Sequence, residues 1–336
     1  MTRPSAVILG CEGTALSPDE AAFFRDADPW GFILFARNVE TPGQLRKLTG
    51  DLRACLGRDA PILVDQEGGR VQRLRAPHWR EWLPPLDQVA ACAPADMARA
   101  VWLRYRLIAD ELRAVGIDAD CAPTCDVARP GTHPFLMNRC FGTDAASVIL
   151  AARACAEGLL AGGVLPVMKH MPGHGLATLD SHLALPRADV PAEILEAVDF
   201  APFRALADLP VGMTAHVVYP AFDARPATAS ARMIGLIRGV IGFRGLLLSD
   251  DISMQALSGT IGLRTRQAIE AGCDIVLHCN GKRPEMEDAI AAAGPLSDPA
   301  LARAEAALAR RCDPEPIDTG ALEAEFASLL MQRTDG

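Results

Sequence analysis

The 336-residue sequence has no run of 18 apolar residues, no cluster of basic residues, no Cys-x-x-Cys pair and no low-complexity linker. Each absence closes a class. A membrane-crossing helix needs about 20 consecutive apolar residues, so no membrane partner is expected. Lys and Arg number 33 against 42 acidic residues, giving a net charge of −9. Scattered basic residues in an acidic chain offer no footprint for nucleic acid or an anionic bilayer. The opening segment MTRPSAVILGCEGTALSPDE carries only a short apolar run broken by Gly and Glu. It is not built like a secretory signal, and a cytoplasmic address is expected.

Ten cysteines stand at 11, 55, 92, 121, 125, 140, 155, 273, 279 and 312, mostly inside apolar runs such as CDIVLHC. In a reducing compartment they read as small buried hydrophobes, not disulfides. Cys121 and Cys125 are four apart but have no second ligand pair nearby, which argues against a structural zinc site. No cofactor or metal is expected, and a monomer is favoured.

What is present is a rhythm. Half the residues are apolar and 22% are charged, enough to bury a sizeable core. Eight short apolar runs end in Gly or polar residues, at 6–13, 31–38, 61–69, 116–127, 163–173, 211–220, 245–251 and 273–279. Segments of helical spacing lie between them, among them TPGQLRKLTGDLRACLG and DAASVILAARACAEGLLAGG. Continuous apolar strands alternating with helices indicate a parallel sheet covered on both faces. Eight such units predict a single-domain (β/α)8 TIM barrel over about residues 5–290 with a C-terminal helical appendage over about 291–336. A doubly wound open sheet is the runner-up.

Polar groups sit at the C-terminal ends of these runs: Asp65 and Glu67, Asp126, Lys169 and His170, His216, Asp250 and Asp251. Barrel active sites form at that end of the strands. In LLLSDD three Leu precede two carboxylates, and an ionised carboxylate is costly to desolvate unless paired or used. Asp251 suits the N-cap of a helix over ISMQALSG, leaving Asp250 to face the cavity. In VDQEGGRVQR, Glu67 with Arg70 reads as a structural ion pair, whereas Asp65 and Arg73 suit a grip on ligand hydroxyls or a carboxylate. Arg139, in FLMNRCFG, reads in isolation as a surface arginine.

The segment KHMPGHGLATLDSH, from Lys169 to His182, holds three of the chain's seven histidines. Asp180 and His182 are two apart, and a carboxylate beside an imidazole fixes its tautomer and raises its pKa, as a proton shuttle requires. Ligation of a metal by His170, His174, Asp180 and His182 is the alternative. Acid–base work is favoured over it, because the ammonium of Lys169 adjoins His170 and would repel a cation.

Together, KHMPGHG with DSH, VDQEGGRVQR, MTAHVVYP and SDDISM resemble, in matching order over about residues 5–290, the bacterial β-N-acetylglucosaminidases of glycoside hydrolase family 3. The resemblance implies a cytoplasmic, metal-free, retaining exo-glycosidase that releases non-reducing terminal β-linked N-acetylglucosamine. Its implied substrate is a 1,6-anhydro-muropeptide of cell-wall recycling. Asp250 matches the nucleophile, His182 the general acid/base and Asp180 its partner. Asp65, Arg73, Arg139, Lys169 and His170 match sugar-binding positions. The chain departs from the family pattern at Met171, a place often filled by Phe, and in the LMNRCFG loop. Other exo-glycosidases of the same family, such as β-glucosidases, and a metal-dependent barrel hydrolase are the competing functions.

Overall fold

The computed structural model describes residues 3–177, 185–314 and 316–331. Eight parallel strands close into a barrel: β1 (Ser5–Gly10), β2 (Pro29–Leu34), β3 (Ile62–Val64), β4 (Ala119–Asp120), β5 (Leu165–Met171), β6 (Val211–Thr214), β7 (Leu246–Asp251) and β8 (Ile275–His278). Neighbours in sequence are neighbours in space, and β1 closes the ring on β8 through pairs such as Val7 with Val276. This is the (β/α)8 architecture expected from the sequence, and each strand lies within or beside its apolar run. β1, β2 and β5 are buried along nearly their whole length, because helices cover the outside and side chains fill the inside.

Helix boundaries follow local chemistry. Helix Pro42–Leu56 starts where the Thr41 side chain accepts from the Gln44 amide and ends at Gly57, whose φ of 64° suits a residue without Cβ. Helix Ala145–Ala161 is capped by Asp144 and packs against helix Met97–Arg113. The small residues between them allow the approach: a Cβ on Gly158 would stand 2.6 Å from the Trp102 carbonyl oxygen. Beyond β8, helix Asp298–Leu308 buries Ala300, Ala304 and Ala307. Helix Thr319–Met331 returns to helix Met97–Arg113, with Arg99 Nε 2.7 Å from Glu325 and Phe326 edge-on to Trp82.

Three local expectations change. The third apolar run is not one strand: after β3 the chain turns into a two-stranded hairpin, Gln66–Gly68 with Val71–Gln72. The fourth run contains only a two-residue strand, although isolated backbone bonds to β5 continue past it through Pro123 and Cys125. ISMQALSG forms turns, not a helix, and the next helix starts at Ile261 under a Thr260 cap. All ten cysteines are free and nine of them are buried. Among the described residues no helix is long and apolar enough to cross a membrane.

Candidate active site

A cavity of about 200 Å³ opens at the C-terminal ends of the strands. Asp65, Arg73, Arg139, Lys169, His170 and Asp250 all line it, so the described candidates converge although the chain separates them by up to 185 positions (250 − 65). Asp180 and His182 lie outside the described residues.

Five charged groups form one network. Lys169, buried at the end of β5, sets its Nζ 2.8 Å from Asp65 Oδ1 and 2.6 Å from Glu67 Oε1. Arg73 Nη2 donates to Asp65 Oδ2 at 2.8 Å. Arg139 forks onto Glu67, Nε to Oε2 at 2.9 Å and Nη2 to Oε1 at 2.8 Å. Burial alone pushes both carboxyls up, but the cations outweigh it. Lys169 and Arg73 hold Asp65 well below the carboxylate range, and Arg139 and Lys169 hold Glu67 at about 2. Both acids are therefore anions throughout the neutral range. Burial lowers Lys169, yet Asp65 and Glu67 win and keep it charged.

This corrects two readings. Arg139 is a buried cation, 7% exposed, not a surface arginine. Glu67 pairs with Arg139 and Lys169, not with Arg70. Left-handed backbone at Gly68 (φ 102°) and Gly69 (φ 57°) turns the hairpin between them, and the Arg70 guanidinium lies 4.1 Å from the Phe135 ring centroid. A Cβ on Gly68 would also stand 1.9 Å from Arg104 Nη2, so that position requires glycine.

A second cluster borders the first. His170 Nδ1 lies 2.7 Å from Asp126 Oδ2, while Asp126 Oδ1 accepts the His174 amide at 2.7 Å. Asp126 is fully buried; burial raises its carboxyl, but His170 and His174 bring it below the ordinary range. The pairing occupies Nδ1 of His170 and leaves Nε2 for a ligand. The two histidine rings meet edge to face at 5.5 Å. Burial, followed by the neighbouring His170, pushes His174 down to about 4, so it is neutral near pH 7. The sequence alone gave Asp126 only a strand-end position; its partnership with a backbone amide has no signature in spacing.

The paired carboxylates of β7 separate cleanly. Asp251 accepts from the Ser253 amide at 2.9 Å, the Ser253 hydroxyl at 2.7 Å and the Cys279 amide at 3.2 Å. It therefore caps a turn and ties β7 to the segment after β8. Asp250 accepts the Asp251 amide at 2.8 Å and faces the cavity beside Met213 and Met254. His216, at the end of the sixth run, has both ring nitrogens in use, on Thr228 Oγ1 at 2.8 Å and the Asp251 carbonyl at 3.0 Å. It is a structural residue. Among the described residues no group of three or more His, Cys, Asp or Glu is placed to hold a metal ion.

Comparison with known proteins shows the family and the fold. The family model described as "Glycosyl hydrolase family 3 N terminal domain" matches residues 15–310. A beta-hexosaminidase of Alkalilimnicola ehrlichii is 42% identical over 301 residues, covering 87% of this chain and 85% of the relative. One from Xylella fastidiosa is 39% identical over 295 residues, covering 85% and 86%. Among solved structures, native NagZ from Neisseria gonorrhoeae superposes with a TM-score of 0.83 at 32% identity, covering 98% of this chain and 96% of that one. The same Neisseria protein in complex with N-trifluoroacetyl-D-glucosamine gives a TM-score of 0.85 at 33% identity, covering 98% and 99%.

Proposed function

The chain belongs to glycosyl hydrolase family 3 and is a glycoside hydrolase, and from that premise we propose that it removes non-reducing terminal β-linked N-acetylglucosamine with retention of configuration. The observation that carries this is the convergence of Asp250 and the Asp65–Lys169–Glu67–Arg139–Arg73 network on one cavity. The carboxylate of Asp250 attacks C1 of the bound sugar, forms a glycosyl ester, and is released when water attacks the same carbon. The departing oxygen needs a proton, and His182 with Asp180 supplies it and later takes one from water. An imidazole in place of the usual second carboxylate suits a site that already holds three anions, Asp65, Glu67 and Asp250, because a neutral base adds no further repulsion.

The network binds by hydrogen bonding. The ionised oxygens of Asp65 can accept from sugar hydroxyls, while Arg73, Arg139 and Lys169 keep donor hydrogens beyond those used on the carboxylates. His170 offers Nε2. Fixed charges already paired with one another need little reorganisation when a neutral sugar arrives, which is the preorganisation that catalysis exploits. In this reading the physiological substrate is a 1,6-anhydro-muropeptide, and the enzyme works as a cytoplasmic monomer in peptidoglycan recycling without a cofactor.

The test compares 4-nitrophenyl N-acetyl-β-glucosaminide with 4-nitrophenyl β-glucoside, following the anomer first released by proton NMR. The N-acetylglucosaminide should be the better substrate, should release the β-anomer first, and should be cleaved equally well with a chelator present. Preference for the glucoside, or release of the α-anomer, would overturn the proposal.

A further inference from the structure

A buried acid beside the charged network has no part in the proposed chemistry. Asp120 ends β4, pairs in register with Val64 and is fully buried. The cavity wall at this point is formed by its neighbour Cys121. Asp120 Oδ1 accepts the amide of Gln66 at 2.9 Å. Gln66 is the residue between Asp65 and Glu67, and its own side chain is a clamp. Its Oε1 accepts the amides of Arg73 at 3.0 Å and Leu74 at 3.1 Å, and its Nε2 donates to the Leu74 carbonyl at 2.9 Å. One hydrogen bond from β4 thus fixes the residue that joins both network anions and holds the backbone of Arg73.

The other oxygen of Asp120 is placed differently. Oδ2 is buried and has no hydrogen-bond partner among the described residues. Asp65, Glu67 and Lys169 face the carboxyl from the network. Arg104 and Tyr105 face it from helix Met97–Arg113, Cys155 from helix Ala145–Ala161 and Cys121 from its own segment. The two cations in this set are committed elsewhere, Lys169 to Asp65 and Glu67, and Arg104 to the carbonyls of Glu67 and Leu83. An ionised oxygen buried without a donor costs far more than a neutral carboxyl in the same place. Burial accordingly pushes the Asp120 carboxyl up to about 7; the Gln66 amide and Lys169 oppose the rise, and Asp65 and Glu67 add to it. Below that value a neutral acid supports the network. Above it a third anion competes with Asp65 and Glu67 for Lys169.

We infer that Asp120 is a positioning residue for the glycosidase, holding Gln66 and through it Asp65, Glu67 and Arg73 in place for the sugar. This role rests on the glycosidase reading above and adds to it a residue that does not touch the substrate. The experiment measures KM and kcat for 4-nitrophenyl N-acetyl-β-glucosaminide from pH 6 to 8, and thermal melts from pH 4 to 8, on wild type, Asp120→Asn and Asp120→Ala. Asp120→Ala leaves the Gln66 amide unpaired and should raise KM roughly tenfold at pH 6, with kcat changed by less than about threefold. Asp120→Asn keeps an acceptor for that amide without a charge, and should restore KM at pH 6 to within about twofold of wild type. From pH 6 to 8 the KM of wild type should rise about threefold more than that of Asp120→Asn, which has no carboxyl to ionise. A carboxyl raised by folding costs stability as pH climbs from its ordinary 3.8 to about 7. The Tm of Asp120→Asn should therefore gain on that of wild type across this window. An unchanged KM in Asp120→Ala overturns the inference, as does an Asp120→Asn as impaired as Asp120→Ala. Parallel pH courses of KM or of Tm in wild type and Asp120→Asn overturn it too, and these courses decide alone if Asp120→Ala does not fold. Wild type inactive on this substrate sinks the glycosidase reading, whereas an active wild type with any of those outcomes sinks only the role of Asp120.

Discussion

Asp250→Ala is expected to lower kcat for an aryl N-acetyl-β-glucosaminide by at least about a thousandfold, with KM changed little. Asp250 and Asp251 are adjacent in sequence, but only one is available for chemistry. Asp251 spends both oxygens on Ser253 and Cys279. The Asp250 side chain accepts the amide of its neighbour and faces the cavity beside Met213 and Met254. Loss of the attacking oxygen removes a transition-state bond that ground-state contacts from Lys169, Arg73 and Arg139 do not replace, so binding survives while turnover fails. The contrast is Asp251→Asn, which should act through loop order and stability. If Asp250→Ala keeps more than a tenth of wild-type kcat, the nucleophile has been misassigned.

Glu67→Gln is expected to cost about 3–5 kcal/mol of stability, because it removes the anion from a buried cluster and leaves two buried cations undercompensated. Glutamine keeps one neutral acceptor oxygen, so part of the Arg139 fork and Lys169 contacts would be lost and the rest weakened, leaving Asp65 as the one anion of the network for three cations. A fall in Tm of roughly 4–7 °C follows, together with a raised KM, since Arg139 and Lys169 would no longer be held in place for the sugar. The pH dependence supplies an independent readout. Glu67 is held at about 2 in the folded protein against an ordinary 4.5. A depressed carboxyl contributes stability that is fully present above its unfolded pKa and is lost as pH falls toward its folded one. Wild type should therefore lose stability on acidification from about pH 4.5 toward 2, and Glu67→Gln should lose less over that window. Thermal melts at pH 7 and pH 3.5 check both statements; equal Tm values for the two proteins at pH 7 would contradict them.

Much of the architecture was legible, and for a physical reason. Strands of a closed parallel barrel are buried on both faces, so LPVMKHM and LLLSDD stand out as continuous apolar runs with charges only at their ends. The same rule places Asp65, Lys169, His170 and Asp250 at one rim from strand ends alone. Pairing was less legible. Glu67 lies three residues from Arg70 and 72 from Arg139, and proximity in sequence pointed to the wrong arginine. The hairpin that decides between them depends on left-handed backbone at Gly68 and Gly69, which the Gly-Gly pair permitted but did not require. Asp126 was visible as a strand-end carboxylate. Its work, orienting His170 through Nδ1 and holding the His174 amide, depends on backbone geometry after β5 that no spacing encodes. The expected cap on ISMQALSG failed for a related reason: Asp251 found its donors in Ser253 and, just past the neighbouring strand, in Cys279 instead of in a helical turn.

The central claim is that Asp250 becomes covalently attached to the sugar. A fluorinated N-acetylglucosaminyl fluoride slows breakdown of such an ester more than its formation, and the trapped enzyme can be digested and its peptides weighed. The account expects one added sugar mass on the peptide containing Asp250, and none after Asp250→Ala. An inactivated enzyme carrying no adduct, or one carrying it on another residue, would contradict the account.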